Sequence, residues 1–452
     1  MSARPELGRF DLTMIVISLV IGMGIFRTPV DAAAGAGSPA IFFAAWIVAG
    51  LIALCGALTF AEIGSRYPIT GGYFRVFSYA YHPSFAFAVT SVVLVANAAS
   101  VAGVALIGAE YLVPVLAPTS GDPAGLARLI AAASLVLFFA LNLLGLRTSA
   151  RVQNLLTAIK LLLLLGLASA LVLAEPATAG SPVAAPPAPP DAPRGAVEAF
   201  GLALIATSFT YGGYQQTINF GSEVRDARRV VPQAIGLGLA VIISLYLLLN
   251  LTYVRVLGFD ALASADSIAA QVAAAAFGEA AGVALSLLLF LAVLGFVNVA
   301  MLTNPRLLLA MSEDAALPAG LARVSARTGA PTAALTLFVA VALASLFAAG
   351  TFDVILNYTM FLDSIGMAAG AAALFVLRRQ TSHLDDLAIY RMRLYPALPL
   401  LFIAAYLFIA FAVASADPQA AVRGAGIFAA FAVVDLVARR RRRSPSARPP
   451  EP

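Results

Sequence analysis

One cysteine, one tryptophan, two histidines and one lysine are all of these residues that the 452-residue chain contains. Cys55, standing alone, rules out an internal disulfide and any cysteine-based metal site. His82 and His383 fall in separate loops far apart in sequence, so no metal or cofactor is expected. No Ser/His/Asp set and no Gly-x-x-x-x-Gly-Lys-Ser/Thr phosphate loop is present, which argues against an enzyme and against ATP-driven work by this chain alone. Charge is scarce too: Asp, Glu, Lys and Arg make up 11%, where soluble domains carry about 25%.

Apolar residues fill the space, at 61% of the chain, in runs too long and too many for buried core helices. The runs predict an all-α polytopic membrane protein with twelve transmembrane helices. They lie at roughly 11–34, 39–64, 85–117, 125–145, 152–174, 197–221, 233–257, 278–311, 330–349, 353–377, 396–415 and 421–438. Residues 1–10 read as a cytoplasmic N-terminal tail, 11–438 as the transmembrane domain, and 439–452 as a basic, disordered cytoplasmic tail. No small-residue cleavage site follows the first span, which is therefore expected to stay as an anchor. The Pro/Ala-rich stretch 174–193 reads as an external linker that cannot bury enough apolar area to fold alone.

Arginine placement orients the bundle. With the N-terminus in the cytoplasm, 22 arginines fall on the inner side and 4 on the outer, while Arg27 and Lys160 lie within spans. Both termini are thus expected inside the cell membrane. The net charge of +5 reflects this topology and not nucleic-acid binding. The run Arg439 to Arg443 follows the last span directly and suits lipid headgroups and stop-transfer. No feature identifies a partner subunit.

Lys160 sits in the middle of an apolar run, about 10 Å or more from either end of its segment at ~1.5 Å rise per residue. A charge there costs at least ~2.5 kcal/mol on insertion scales, which favours a functional role. The competing reading is snorkelling, with the stem along the helix and the ammonium near water.

Two spans are interrupted by glycine. Ile21-Gly22-Met23-Gly24-Ile25-Phe26 breaks span 1, and Phe209-Thr210-Tyr211-Gly212-Gly213-Tyr214 breaks span 6. They open two five-span sets, about 11–174 and 197–377, leaving peripheral helices at about 396–438. Matched breaks point to a transporter built from inverted repeats. A break frees backbone N–H and C=O groups that lipid cannot satisfy and a polar ligand can. The half-helix beginning there offers N–H groups and a positive dipole end to an anion. The alternative is that the glycines only permit close packing or a kink.

These residues also carry a family resemblance. The span 1 break resembles the Gly-Ser/Thr-Gly-Ile-Phe element of the amino acid–polyamine–organocation permeases, in particular bacterial relatives of the L-type amino acid transporters. Ala61-Glu62-Ile63-Gly64 with Pro68 and Gly71-Gly72-Tyr73 resembles their signature after span 2. Further similar segments are Leu141 to Asn154 and on to Lys160, the span 6 break with Ser222-Glu223-Val224, Asn298 with Thr303 to Arg306, and Tyr395-Pro396.

The resemblance implies a five-plus-five inverted repeat with discontinuous helices 1 and 6. An amino acid would place its carboxylate on the amides of Gly22, Met23 and Gly24. Its ammonium would face carbonyls near Ile21, Phe209 and Thr210, with Tyr211 and Gly212 beside it. Phe209 matches the aromatic that closes over substrate, and Tyr214 stands where tryptophan is common. Lys160 matches a lysine that occupies the place of a sodium ion, so transport would not need sodium. Asn298 and Thr303 would give polar support on span 8. Met23 departs from the pattern, since a Ser or Thr hydroxyl usually helps hold the carboxylate. A lost charge-assisted bond is worth roughly 1.5–3 kcal/mol.

Arg27 and Asp363 are the other ionisable residues placed within the spans, and intramembrane charges usually pair. By analogy with sodium symporters of this general fold, they are read as an outer gate together with Phe209. The alternatives are an outward-snorkelling Arg27 with a locally bonded Asp363, or an Asp363 that contacts substrate or carries protons. Glu62, Glu110 and Glu223 read as structural, and Asn97, Tyr211 and Tyr358 as candidate pocket residues.

The functional expectation is a secondary transporter of amino acids, neutral ones foremost, working by alternating access as an exchanger or with protons. Transport of a polyamine or other amine, or a transporter-like sensor, are the alternatives. Lys160 could act as a fixed cation or as a proton carrier, and the sequence leaves both open.

Overall fold

The computed structural model describes residues 6–22, 24–119, 121–176, 195–265, 268–278, 281–348, 352–384, 389–416 and 418–443. Among them the chain is helical, with only two isolated β-bridges, Leu7 with Val224 and Thr70 with Phe220. The first half comprises α1 (Arg9–Val20), α2 (Gly24–Ala36), α3 (Pro39–Arg66), α4 (Gly72–Ala80), α5 (Pro83–Leu116), α6 (Pro123–Leu143) and α7 (Leu146–Leu173). The second half begins with α8 (Ala196–Thr210), α9 (Ala227–Leu257), α10 (Phe259–Leu262), α11 (Ile268–Phe277) and α12 (Ala281–Glu313). It closes with α13 (Thr332–Ala348), α14 (Phe352–Gln380), α15 (Ala397–Ala416) and α16 (Pro418–Arg443).

Each predicted apolar run overlaps helical residues. Among the described residues, 8 helices are long and apolar enough to cross a membrane, or 9 when α1 and α2 count as one span bent by 42°. This is a polytopic membrane protein. The second predicted break also ends a helix: α8 stops at Thr210 and leads into a short 3-10 turn, Tyr214–Asn219. Helix starts follow local chemistry. The Ser38 hydroxyl accepts from the Ile41 N–H ahead of Pro39, and Asp122 Oδ1 accepts from the Gly125 N–H ahead of Pro123.

Burial separates centre from rim. α1 is buried from Leu12 to Val20 on nearly all sides, as a helix surrounded by others must be. It packs on α7 and α9, while α12 packs on α5 and α7, and α2 lies against α8. α6 and α15 instead present Leu129, Leu137, Leu400 and Phe411 outward, as lipid-facing helices do.

Parts of both terminal segments are ordered. Leu7 is buried, and residues 6–8 are docked in place by backbone bonds to 223–225. The basic run continues α16 as helix through Arg443, because no Gly or Pro interrupts it until Pro445.

Candidate functional site

α1 ends at Val20 because Gly22 opens a bend there; its N–H turns back to the Val20 carbonyl at 2.9 Å. The two broken helices meet at their ends. A Cβ on Gly24 would lie 3.0 Å from Thr210 Cγ2, so the start of α2 rests on the end of α8. Gly213 takes φ +115°, and a Cβ on it would come within 2.3 Å of the Leu19 carbonyl oxygen. Only glycine allows that approach. Gly213→Ala is expected to lower stability by more than ~1–2 kcal/mol and to misalign the breaks. A thermal melt beside an uptake assay checks both effects.

The carbonyls that the breaks release have specific donors. The Tyr246 hydroxyl on α9 reaches both Val20 O (3.3 Å) and Thr210 O (3.4 Å), one from each broken helix. Lys160 Nζ donates to Ile21 O at 2.5 Å and to Ser18 Oγ at 3.3 Å. Ser18 in turn donates to Gly295 O on α12 (3.3 Å). Lys160 is 1% exposed, so its ammonium does not snorkel in this conformation. It is the last rung of a polar ladder between α7 and α1. Asn154 donates to Asp11 (2.7 Å), Thr157 to Met14 O (3.4 Å) and Lys160 to Ile21 O, at three-residue steps along α7.

The first-turn N–H groups of α2, on Gly24, Ile25 and Phe26, have no partner within the helix. They lie at its positive dipole end. Gly22, Gly24, Gly212 and Gly213 are half-exposed, while Ile21, Ile25, Tyr211 and Tyr214 beside them are buried. The breaks are therefore the accessible points of an otherwise packed centre. An anionic group can meet N–H groups there, and a cationic group can meet carbonyl oxygens.

Several sequence-predicted residues are placed differently. Tyr211 is buried against the rings of Trp46 and Tyr246, with its hydroxyl on Trp46 O (3.4 Å). Thr303 bonds back to Val299 O within α12 (2.7 Å). Asn298 accepts from Asn142 (3.0 Å) and donates to Gln153 (2.8 Å), joining α6, α7 and α12. Asn97 donates to Asn304 (2.7 Å). Thr210 is buried, and its hydroxyl has no partner. Arg27 is exposed and has partners of its own, whereas Asp363 is only half-exposed on α14. Met23 and the side chains of Phe209 and Tyr358 lie outside the described residues.

At the face of the bundle carrying residues 6–8, the segment beyond the second break is fastened from several sides. Glu6 and Leu7 donate to Glu223 O (both 2.9 Å), and Arg225 donates to Leu7 O (3.0 Å). Arg306 on α12 pairs with Glu223 at 2.7 Å and lies 4.5 Å over the Phe220 ring. Tyr73 N–H donates to Asn219 Oδ1 (2.9 Å), and the Thr70 and Ser222 hydroxyls bond to each other. Arg75 pairs with Glu313 (2.7 Å) and Asp314 (3.2 Å). Burial works against the Arg75 charge, but the bonds to Asp314 and Glu313 outweigh it and hold the guanidinium above its usual range.

A second cluster on this face centres on Glu62, which is fully buried. Its carboxylate accepts from Arg66 Nε (2.8 Å), Arg378 Nε (2.8 Å), Arg378 Nη2 (2.7 Å) and Met392 N–H (3.0 Å). α3, α14 and the segment before α15 are thereby tied together. Sequence reasoning overlooked Tyr246 and Ser18, since a tyrosine or serine in an apolar run carries no distinguishing local pattern.

Comparison with known proteins agrees with this architecture. The sequence profile described as amino acid permease matches residues 7–434. The chain is 26% identical over 414 residues to the serine/threonine exchanger SteT of Bacillus subtilis, covering 90% of each. It is 27% identical over 388 residues to the large neutral amino acids transporter small subunit 2 of Homo sapiens, covering 83% of this chain and 70% of that one. It is 30% identical over 455 residues to an uncharacterized transporter of Mycobacterium bovis, covering 98% of this chain and 94% of the relative.

Proposed function

Because the chain belongs to the amino acid permease family, we propose that it moves neutral amino acids across the cytoplasmic membrane by alternating access, independently of sodium. The observation that carries this reading is the meeting of the two broken helices, with Tyr246 and Lys160 holding the carbonyls they release. In it the carboxylate rests on the first turn of α2, on Gly24, Ile25 and Phe26 beside Met23, because the Gly22 N–H is already engaged. The ammonium faces the carbonyls near Ile21, Phe209 and Thr210, and Gly212 leaves room for it. Lys160 supplies the positive charge that a sodium ion would otherwise bring. The serine/threonine exchanger among the relatives makes serine and threonine the first substrates to try.

Architecture and orientation are part of the same proposal: twelve spans, a five-plus-five inverted repeat, two peripheral helices, and both termini in the cytoplasm. The latched face with Glu223 and Arg306 is then cytoplasmic, and the conformation described is closed on that side. Cys55 is buried and is the sole cysteine, so a partner subunit would have to bind without a disulfide. The deciding experiment is counterflow in proteoliposomes against a panel of amino acids and polyamines, with and without sodium and a pH gradient. Uptake of neutral amino acids without sodium is expected; uptake confined to polyamines, or saturable binding with no flux, would refute the substrate assignment.

Arg27 and Asp363 are proposed to meet when the outer side closes. Each charge alone is then expected to be costly if reversed. Arg27→Asp and Asp363→Arg should each reduce flux at least ~10-fold, the equivalent of ~1.4 kcal/mol, and the double exchange should recover most of it. No recovery in the double variant would remove the pairing.

A further inference from the structure

Asp363 has surroundings that pairing with Arg27 does not account for. Among the described residues it enters no ion pair in this conformation. Instead, tyrosines from three separate elements gather among the helices packed around α14: Tyr73 on α4, Tyr214 just beyond the second break, and Tyr406 on α15. The Tyr73 hydroxyl lies against α14 one turn along from Asp363, 3.3 Å from where a Cβ on Gly366 would be. The Tyr214 hydroxyl sits over Gly56, closer than a Cβ there would permit, and next to Phe402. The Tyr406 ring packs 4.5 Å from Phe402, closing the group. Tyr73 and Tyr214 are 3% and 0% exposed, and among the described residues neither hydroxyl has a hydrogen-bond partner.

The other ionisable groups on the helices around α14 are committed or remote. On α3, Cys55 lies near Tyr214, while Glu62 and Arg66 bond to each other at the far end. Arg75 on α4 pairs with Glu313 and Asp314, and Arg378 on α14 itself pairs with Glu62. On α5, His82 caps its own helix and Glu110 is exposed. On α16, Arg423 and Asp435 have partners of their own.

An ionised carboxylate half withdrawn from water, with no cation beside it, is short of donors for its charge. Two remedies are open: take up a proton, or draw in hydroxyl donors. A phenol serves both states, since it donates to a carboxylate and accepts from a carboxylic acid. We propose that Asp363 is a proton-binding site, with the Tyr73, Tyr214 and Tyr406 hydroxyls as its exchangeable partners. The carboxylate gains one proton from water on one side of the membrane and returns it to water on the other, with no other bond made or broken. Tyr214 belongs to the segment leaving the second break, so the charge on Asp363 and the shape of the substrate site bias each other. That coupling rests on the transporter reading; the proton site itself does not.

The test uses the purified full chain in lipid. A pH-titrated infrared difference spectrum should show a carboxylic-acid carbonyl band that disappears in Asp363→Asn and returns, shifted, in Asp363→Glu. In Tyr73→Phe/Tyr214→Phe the ionised form loses donors worth roughly one hydrogen bond, so the band should persist to a pH about one unit higher. The double variant keeps Asp363 itself and decides the matter if Asp363→Asn does not fold. A spectrum with no band that depends on Asp363, or a band unmoved by loss of both phenols, overturns the proposal. In proteoliposomes an inward proton gradient should drive serine accumulation in the wild type and at least tenfold less in Asp363→Asn. Equal accumulation in both overturns the coupling. No serine flux in the wild type under any gradient defeats the transporter reading, and the infrared band still decides the proton site.

Discussion

Lys160→Ala is expected to cut amino acid flux by ~10-fold to ~100-fold while leaving the protein folded. The estimate follows from the charge-assisted bond to Ile21 O at 2.5 Å, a class of contact worth roughly 1.5–3 kcal/mol. Without it the Ile21 carbonyl is left bare beside the substrate site, and Ser18 keeps only its bond to Gly295 O. Folding should survive because removing a buried cation also removes its desolvation cost. Lys160→Arg is not expected to rescue transport, because a planar guanidinium does not place its charge and donors on Ile21 O and Ser18 Oγ as a compact ammonium does. Counterflow and a thermal melt on the same preparations separate the two effects. Strict sodium dependence of the wild type would sink the cation role altogether.

Glu62→Ala should be the most destabilising single change in the molecule. Arg66 and Arg378 share this one carboxylate, and the Arg66 side chain is as buried as Glu62 itself. Removing the acid takes a buried carboxylate partner at 2.7–2.8 Å from both guanidiniums, and breaking such a pair costs about 3–5 kcal/mol. Glu62→Gln retains acceptor capacity but not charge, and it should fall between the two. Purified yield and thermal midpoint order the three proteins; a Glu62→Ala variant as stable as wild type would contradict the account of this cluster. Arg378 also lies 3.6 Å over the Tyr395 ring, so the damage should extend into the segment before α15.

Much of this was legible because the signals are local. Twelve apolar runs, glycines in two of them, one lysine among arginines and a glutamate at a span end all survive reading without neighbours. Whatever depends on rotation or on a turned chain did not. Tyr211 lies within the predicted break, yet α8 keeps its course through Thr210 and directs Tyr211 toward Trp46. After Gly213 the chain departs from helix at φ +115°, so helical spacing no longer indicates where Tyr214 points. Arg27 is on the exposed side of α2, which composition cannot reveal. The α1–α7 ladder needs two helices in register, and no single segment encodes that.

Tyr246 carries a consequence for how fast the centre can rearrange. Its one hydroxyl proton is divided between Val20 O and Thr210 O, at 3.3 and 3.4 Å, each longer than an ordinary bond. Two half-strength contacts turn about a single torsion, and either can strengthen as the other lengthens. The broken helices can then slide past one another without either carbonyl losing its donor altogether. Under the alternating access proposed above, the tyrosine would act less as a clamp than as a bearing between the two broken helices.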